Sequence, residues 1–99
     1  MVDLPLSDKG RQSVSVAVAT ALVHLVVWWQ PAQASWYCHV DVNGTRVVSG
    51  RRMASGAPLV PQSAINGTLG VRPLTEADHA NDPGRQAWGN THVVSFIPS

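Results

Sequence analysis

"SVSVAVATALVHLVVWW", Ser13 to Trp29, is the stretch whose reading decides the fold of this chain. It contains no Asp, Glu, Lys or Arg, and the charge-free interval extends from Gln12 through Val40. A bilayer crossing by an untilted helix takes about 20 apolar residues, and this run is short for one. A secretory signal fits better. It needs a basic start, an apolar core, and small side chains flanking a cut in extended chain. Lys9 and Arg11 supply the first and Ser13 to Trp29 the second. Ala32-Gln33-Ala34 before Ser35 supplies the third, with Pro31 ending any helix ahead of the cut. Asp3 and Asp8 dilute the basic region.

Two other readings of the run stand beside this one. The first is a retained single membrane anchor, with Trp28, Trp29, Trp36 and Tyr37 forming an aromatic belt at the far interface. Membrane contact would then be made through Ser13 to Trp29. The second is a pair of buried strands, about Ser13 to Ala19 and Leu22 to Trp29. It is suggested by the alternation of Val14, Val16 and Val18 with small residues and by the β-branched content. The absence of Gly, Pro, Asn or Asp at Thr20-Ala21 speaks against that pair. The signal and anchor readings divide the chain into an N-terminal segment, residues 1–34, and a small exported β-rich domain, residues 35–99. That domain lies in the periplasm or outside the cell, or is tethered to the membrane with its C-terminal part outside. His24, inside the run, reads as a tolerated neutral imidazole, with axial ligation of a tetrapyrrole as the sharper alternative.

Downstream, Trp36 to Val42 alternates apolar and polar residues up to Asn43-Gly44, and Thr45 to Val48 follows. Asn-Gly between two such runs predicts a hairpin with a type I′ turn. The register sets Val42 against Thr45, Asp41 against Arg46, Val40 against Val47 and His39 against Val48. One face then carries Trp36, Cys38, Val40, Val42 and Val47, and the other Tyr37, His39, Asp41 and Arg46. Ile65-Asn66-Gly67-Thr68 repeats the turn pattern and predicts a weaker second hairpin. Both Asn-Gly-Thr triplets are formal N-glycosylation sequons, for which turn geometry is a sufficient explanation. Ser49 to Ser63 reads as a loop, with Arg51-Arg52 as an anion-binding spot at most. Thr75 with Asp78 predicts a short helix that Asn81-Asp82-Pro83-Gly84 stops. Thr91 to Ile97 returns to strand chemistry.

The expected architecture is therefore mainly β: a small hairpin-based domain with one short helix, preceded by an N-terminal hydrophobic helix. Its core is expected from Trp36, Val40, Val47, Leu69, Trp88, Val94 and Phe96. A net charge of +1 with 13% charged residues offers no field for a polyanion, so nucleic acid is not an expected partner.

Chemistry finds little support. The chain has no Gly-x-Ser-x-Gly elbow or phosphate loop. Glu76 and Asp78, two apart on a helix, do not face each other. Metal binding through His39, His79 and His92 is an alternative, but no metal-ligand spacing occurs, and Cys38 and His39 point to opposite faces of a strand. No catalytic, cofactor-binding or metal residue is assigned. The expected role is that of a small binding or structural protein, an accessory subunit of a larger assembly, with a membrane subunit as the alternative. Trp36, Tyr37, Cys38, Arg51 and Arg52 are the candidate interaction residues. The lone Cys38 cannot form an internal bridge, so the small domain is expected to gain stability from a protein partner or a second copy of itself.

Overall fold

The computed structural model describes residues 2–4, 6–7, 9–18, 21–56, 58–61, 65, 67–74 and 82–98. The strands are β1 (Val2–Leu4), β2 (Arg11–Val18), β3 (Ala21–Gln30), β4 (Ser35–Val42), β5 (Thr45–Arg52), β6 (Gly67–Pro73) and β7 (His92–Pro98). They form two antiparallel sheets, a three-stranded one in the order β1-β7-β6 and a four-stranded one in the order β2-β3-β4-β5. Among the described residues no helix is formed.

The decisive stretch forms strands, which corrects the expected N-terminal hydrophobic helix. β2 and β3 pair from Arg11 opposite Trp28 to Val18 opposite Ala21. β3 then pairs along its other edge with β4, from Val23 opposite Val42 to Gln30 opposite Ser35. Each strand alternates, with even-numbered residues inward in β2 and odd-numbered ones inward in β3. Val14, Val16 and Val18 share the inner face with Val23, Leu25 and Val27, the last three fully buried. β3 is masked in the sequence because its outward residues, Leu22, Val26 and Trp28, are also apolar, so that both faces read as one continuous run. No helix among the described residues is long and apolar enough to cross a membrane.

The Asn43-Gly44 hairpin forms with both central residues at positive φ, 53° and 84°, as a type I′ turn requires. Its first two pairs, Val42 with Thr45 and Asp41 with Arg46, hold the expected register. Beyond them the register shifts on both sides of Val40, so that Val40 faces Val48, not Val47, and His39 does not face Val48. Val47 is therefore turned out, 42% exposed, and is not part of the core. The shift also lengthens the second arm. Ser49 to Arg52, expected in a loop, belong to β5, which pairs Tyr37 with Arg52.

Gly67, expected in the turn of a second hairpin, opens β6. β6 pairs with β7, Gly67 opposite Pro98 through Pro73 opposite His92. Gly67 is required here by close approach: a Cβ on it would lie 2.6 Å from the Ile97 carbonyl oxygen and 2.6 Å from Phe96 Cζ. Residues 62–64 and 66 of the expected second hairpin, and the expected short helix at residues 75–80, lie outside the described residues.

One core joins the two sheets. Leu25, Val27, Trp36 and Val40 from the larger sheet meet Leu69, Val71, Val94 and Phe96 from the smaller, with Met53, Leu59, Val60 and Trp88 closing the sides. Trp36, fully buried, packs edge-on against Trp29 at 5.6 Å and tilted against Trp88 at 5.5 Å. Its Nε1 donates to the Gly84 carbonyl at 2.7 Å, tying β4 to the segment that precedes β7. Cys38 sits in the same layer, fully buried and unbridged. Burial pushes its thiol up to about 12, which keeps it neutral and inert as a small apolar side chain.

Candidate interaction surface

The inward residues of the four-stranded sheet belong to the core, so what this sheet offers to other molecules lies on its outward face. Strand pairing arranges that face in rows that run across the sheet. One row joins Arg11, Trp28, Tyr37 and Arg52, one residue from each strand. Trp28 and Tyr37 stack at 6.3 Å with planes 22° apart, and the Arg11 guanidinium lies 5.7 Å from the indole centroid. Arg52 donates to Ser35 Oγ at 3.2 Å and pairs with Asp82, whose other oxygen accepts from the Ser55 amide at 3.1 Å. Trp28, Gln30, Gln33 and Tyr37 line a shallow depression at this end of the face.

The next row contains Ser13, Val26 and His39. The His39 ring lies 4.6 Å from Trp28, and its Nδ1 accepts a 2.9 Å hydrogen bond from the Gly50 amide. Gly50, at φ 64°, gives β5 the local turn that aims this N–H at the ring. Desolvation, with the charges of Arg46 and Arg11, holds the His39 pKa below its ordinary value. An Nδ1 that accepts a bond must be unprotonated, so geometry and electrostatics agree on a neutral ring.

A third row reads Ser15, His24, Asp41 and Arg46. Ser15 Oγ and His24 Nδ1 share a 2.7 Å hydrogen bond, and Arg46 Nε donates to Asp41 at 2.9 Å. That bond, outweighing desolvation, lowers the Asp41 pKa. Ser, His and Asp in sequence across a sheet have the residue types of a hydrolytic triad but not its arrangement. The Asp41 carboxylate is engaged by Arg46, and the row lies on flat strands whose amides serve the ladder rather than converge on an oxyanion. It is a cross-strand polar ladder. Leu22, 55% exposed, completes the apolar part of the face.

The residues singled out in the sequence are distributed unevenly. Tyr37 lies in the aromatic row, and Arg51 and Arg52 are exposed on β5. Trp36 and Cys38 are fully buried between the sheets. Ala32 and Ala34 are exposed in the turn between β3 and β4, and Ser35 opens β4 with its hydroxyl donating to the Gln33 carbonyl at 3.1 Å. Ala34 is at φ 49°, a conformation that Ala adopts at a cost. His39 and His92 lie on different sheets, and His79 is outside the described residues. Among the described residues no group of three His, Cys, Asp or Glu is placed to hold a metal ion. Arg11, Leu22, His24 and Trp28 were not among the interaction candidates, because Arg11, His24 and Trp28 were read as parts of a signal or membrane segment. In β2 the period-2 alternation of Val14, Val16 and Val18 is legible, but the inward positions of β3 are odd-numbered and its outward ones are also apolar, so the run carries no alternation that points to them.

This face carries aromatic, Arg and aliphatic residues, with the Asp41 carboxylate already paired to Arg46. Interfaces are enriched in Trp, Tyr and Arg and depleted in Lys, Glu and Asp. The chain matches, over residues 1–98, the family described as cyanophage baseplate Pam3 plug gp18. It belongs to that family. No curated protein matches it. Baseplate plug gp18 is a structural component of a phage baseplate assembly and not an enzyme, so the expected role of a non-catalytic subunit of a larger assembly stands, and protein partners follow from it.

Proposed function

We propose that this chain is a non-catalytic plug subunit held in a phage baseplate by neighbouring baseplate proteins that seat against the outward face of its four-stranded sheet. The observation that carries the reading is the family match over residues 1–98. The composition of the face supports the location, with Arg11, Trp28 and Tyr37 forming an anchor row and Leu22 exposed beside it. A few aromatic and Arg anchors supply most of the binding energy at a typical interface, and the surrounding contacts exclude water.

The test uses particles assembled with Leu22→Asp in place of the wild-type chain. Leu22 is exposed, so the fold tolerates the change, which a thermal melt of the purified variant verifies. The expected result is a folded variant missing from purified particles by mass spectrometry. Incorporation at the wild-type level, for this variant and for Trp28→Ala, would refute the location.

A further inference from the structure

The two sheets have four outer edges, and three are guarded. β1 is only three residues long. The β6 edge is covered by the chain that precedes it: the Gly56 amide donates to the Val71 carbonyl at 3.1 Å and the Leu59 amide to the Leu69 carbonyl at 2.7 Å. β5 carries two register irregularities, Gly50 at φ 64° and three arginines, Arg46, Arg51 and Arg52. Bulges, charges and short edges are how sheets prevent unwanted strand addition. β2 has none of these beyond one terminal charge. It runs eight residues, RQSVSVAV, with regular pairing to β3, no Pro, no bulge and a single charge at its first residue. Among the described residues no strand lies beyond it. Its outward side chains Ser13, Ser15 and Ala17 are exposed, and Val14 and Val16 are only partly buried at the rim of the core.

We infer that β2 is the contact of a two-fold dimer, in which β2 of a second copy of this chain adds antiparallel to it and joins the two four-stranded sheets into one of eight. The occupant follows from the strand's self-complementarity. A two-fold axis perpendicular to the sheet keeps inner faces on one side, so opposed residues must share the parity of their positions. With the axis at Ser15, Ser15 faces Ser15 of the second copy, Val14 faces Val16 and Ser13 faces Ala17. Two Val–Val pairs then flank the axis on the core side, and small residues meet on the outward side. The two Arg11 side chains fall at opposite ends of the seam, so no like charges are opposed. A two-fold contact of this kind is closed and does not propagate into a fibre. It also doubles the outward face proposed as the docking surface, without relying on that proposal.

The experiment is light scattering coupled to size-exclusion chromatography on the full chain over a concentration series. The wild-type chain is expected to run as a dimer. Ser15→Lys and Ser15→Glu each set like charges across the axis, and each is expected to weaken the dimer at least about tenfold. An equimolar mixture of the two variants is expected to recover it by opposing Lys to Glu. Ser15 is exposed, and circular dichroism with a thermal melt establishes that both variants fold. A wild-type chain that stays monomeric at its highest soluble concentration overturns the inference, leaving the edge to a strand of a different protein. A dimer indifferent to both substitutions also overturns it, because the contact then lies elsewhere.

Discussion

Replacing Leu25 by Ala tests whether the apolar N-terminal run is part of the folded body. Leu25 is fully buried in the middle of β3, opposite Val14 on one side and Val40 on the other. Truncating such a side chain removes its transfer free energy and leaves a cavity, and Leu→Ala changes at buried sites cost about 2–5 kcal/mol. The site lies between two paired strands and under the opposite sheet, so it has little freedom to collapse, and about 3 kcal/mol is a central value. For a domain of this size each kcal/mol lowers the melting temperature by about 4–8 °C, which gives a fall of about 12–24 °C. Thermal unfolding followed by circular dichroism, with Ser13→Ala on the exposed side of β2 as the control, measures it. The control should stay within about 0.5 kcal/mol of wild type. A Leu25→Ala melting temperature within about 3 °C of wild type would refute the reasoning, because a residue in a detachable segment costs nothing when truncated.

Two further expectations come from contacts at the other sheet. Gly67→Ala should cost about 1–3 kcal/mol, since the new methyl meets a backbone carbonyl and a buried ring that cannot both retreat, and urea denaturation would show a lowered midpoint with an unchanged slope. Asp3 accepts a 2.6 Å hydrogen bond from Ser95, which with Arg72 holds its pKa below the ordinary value of 3.8. The anchorage of β1 is therefore complete above that pH and is lost as pH falls through the lowered native value, so amide exchange at Leu4 should accelerate in acid before the central strands open. His39 behaves with the same sign in a higher window: its pKa is lowered from 6.5, the unfolded chain takes up the proton first, and its contribution declines as pH falls below 6.5.

Much of the downstream half was legible in the sequence. Asn43-Gly44 specified its turn and the first two pairs of its hairpin, because two consecutive residues that accept positive φ leave few alternatives. Trp36, Val40, Leu69, Trp88, Val94 and Phe96 were expected in the core and lie there. Cys38 was placed on the apolar face of the hairpin but also named an interaction candidate, and its full burial agrees with the first. Val47 was misplaced because a bulge is a tertiary accommodation: it moves a side chain to the other face with no local cue. Gly67 was assigned to a turn because Gly after Asn is a turn signal, whereas its place is set by the Phe96 ring and the Ile97 carbonyl, both distant in sequence. The largest error concerned residues 13–29. A strand flanked on both sides and apolar on both faces loses its period, and residues 19 and 20 carry no turn chemistry, so the run matched a hydrophobic helix by composition. The outward face was lost with it, since Arg11, Leu22, His24 and Trp28 acquire a shared surface only once the strands pair. The role as a non-catalytic subunit was reachable from what the sequence lacks, but the baseplate was not, because flat protein-binding faces carry no spacing motif.

The most direct measurement on the account as a whole is the intact mass of this chain extracted from purified particles. The account predicts a chain that retains residues 11–34, because β2 and β3 supply half of the four-stranded sheet. A chain beginning at Ser35 would contradict it, since β4 would then stand without the strand it pairs with from Val23 to Gln30.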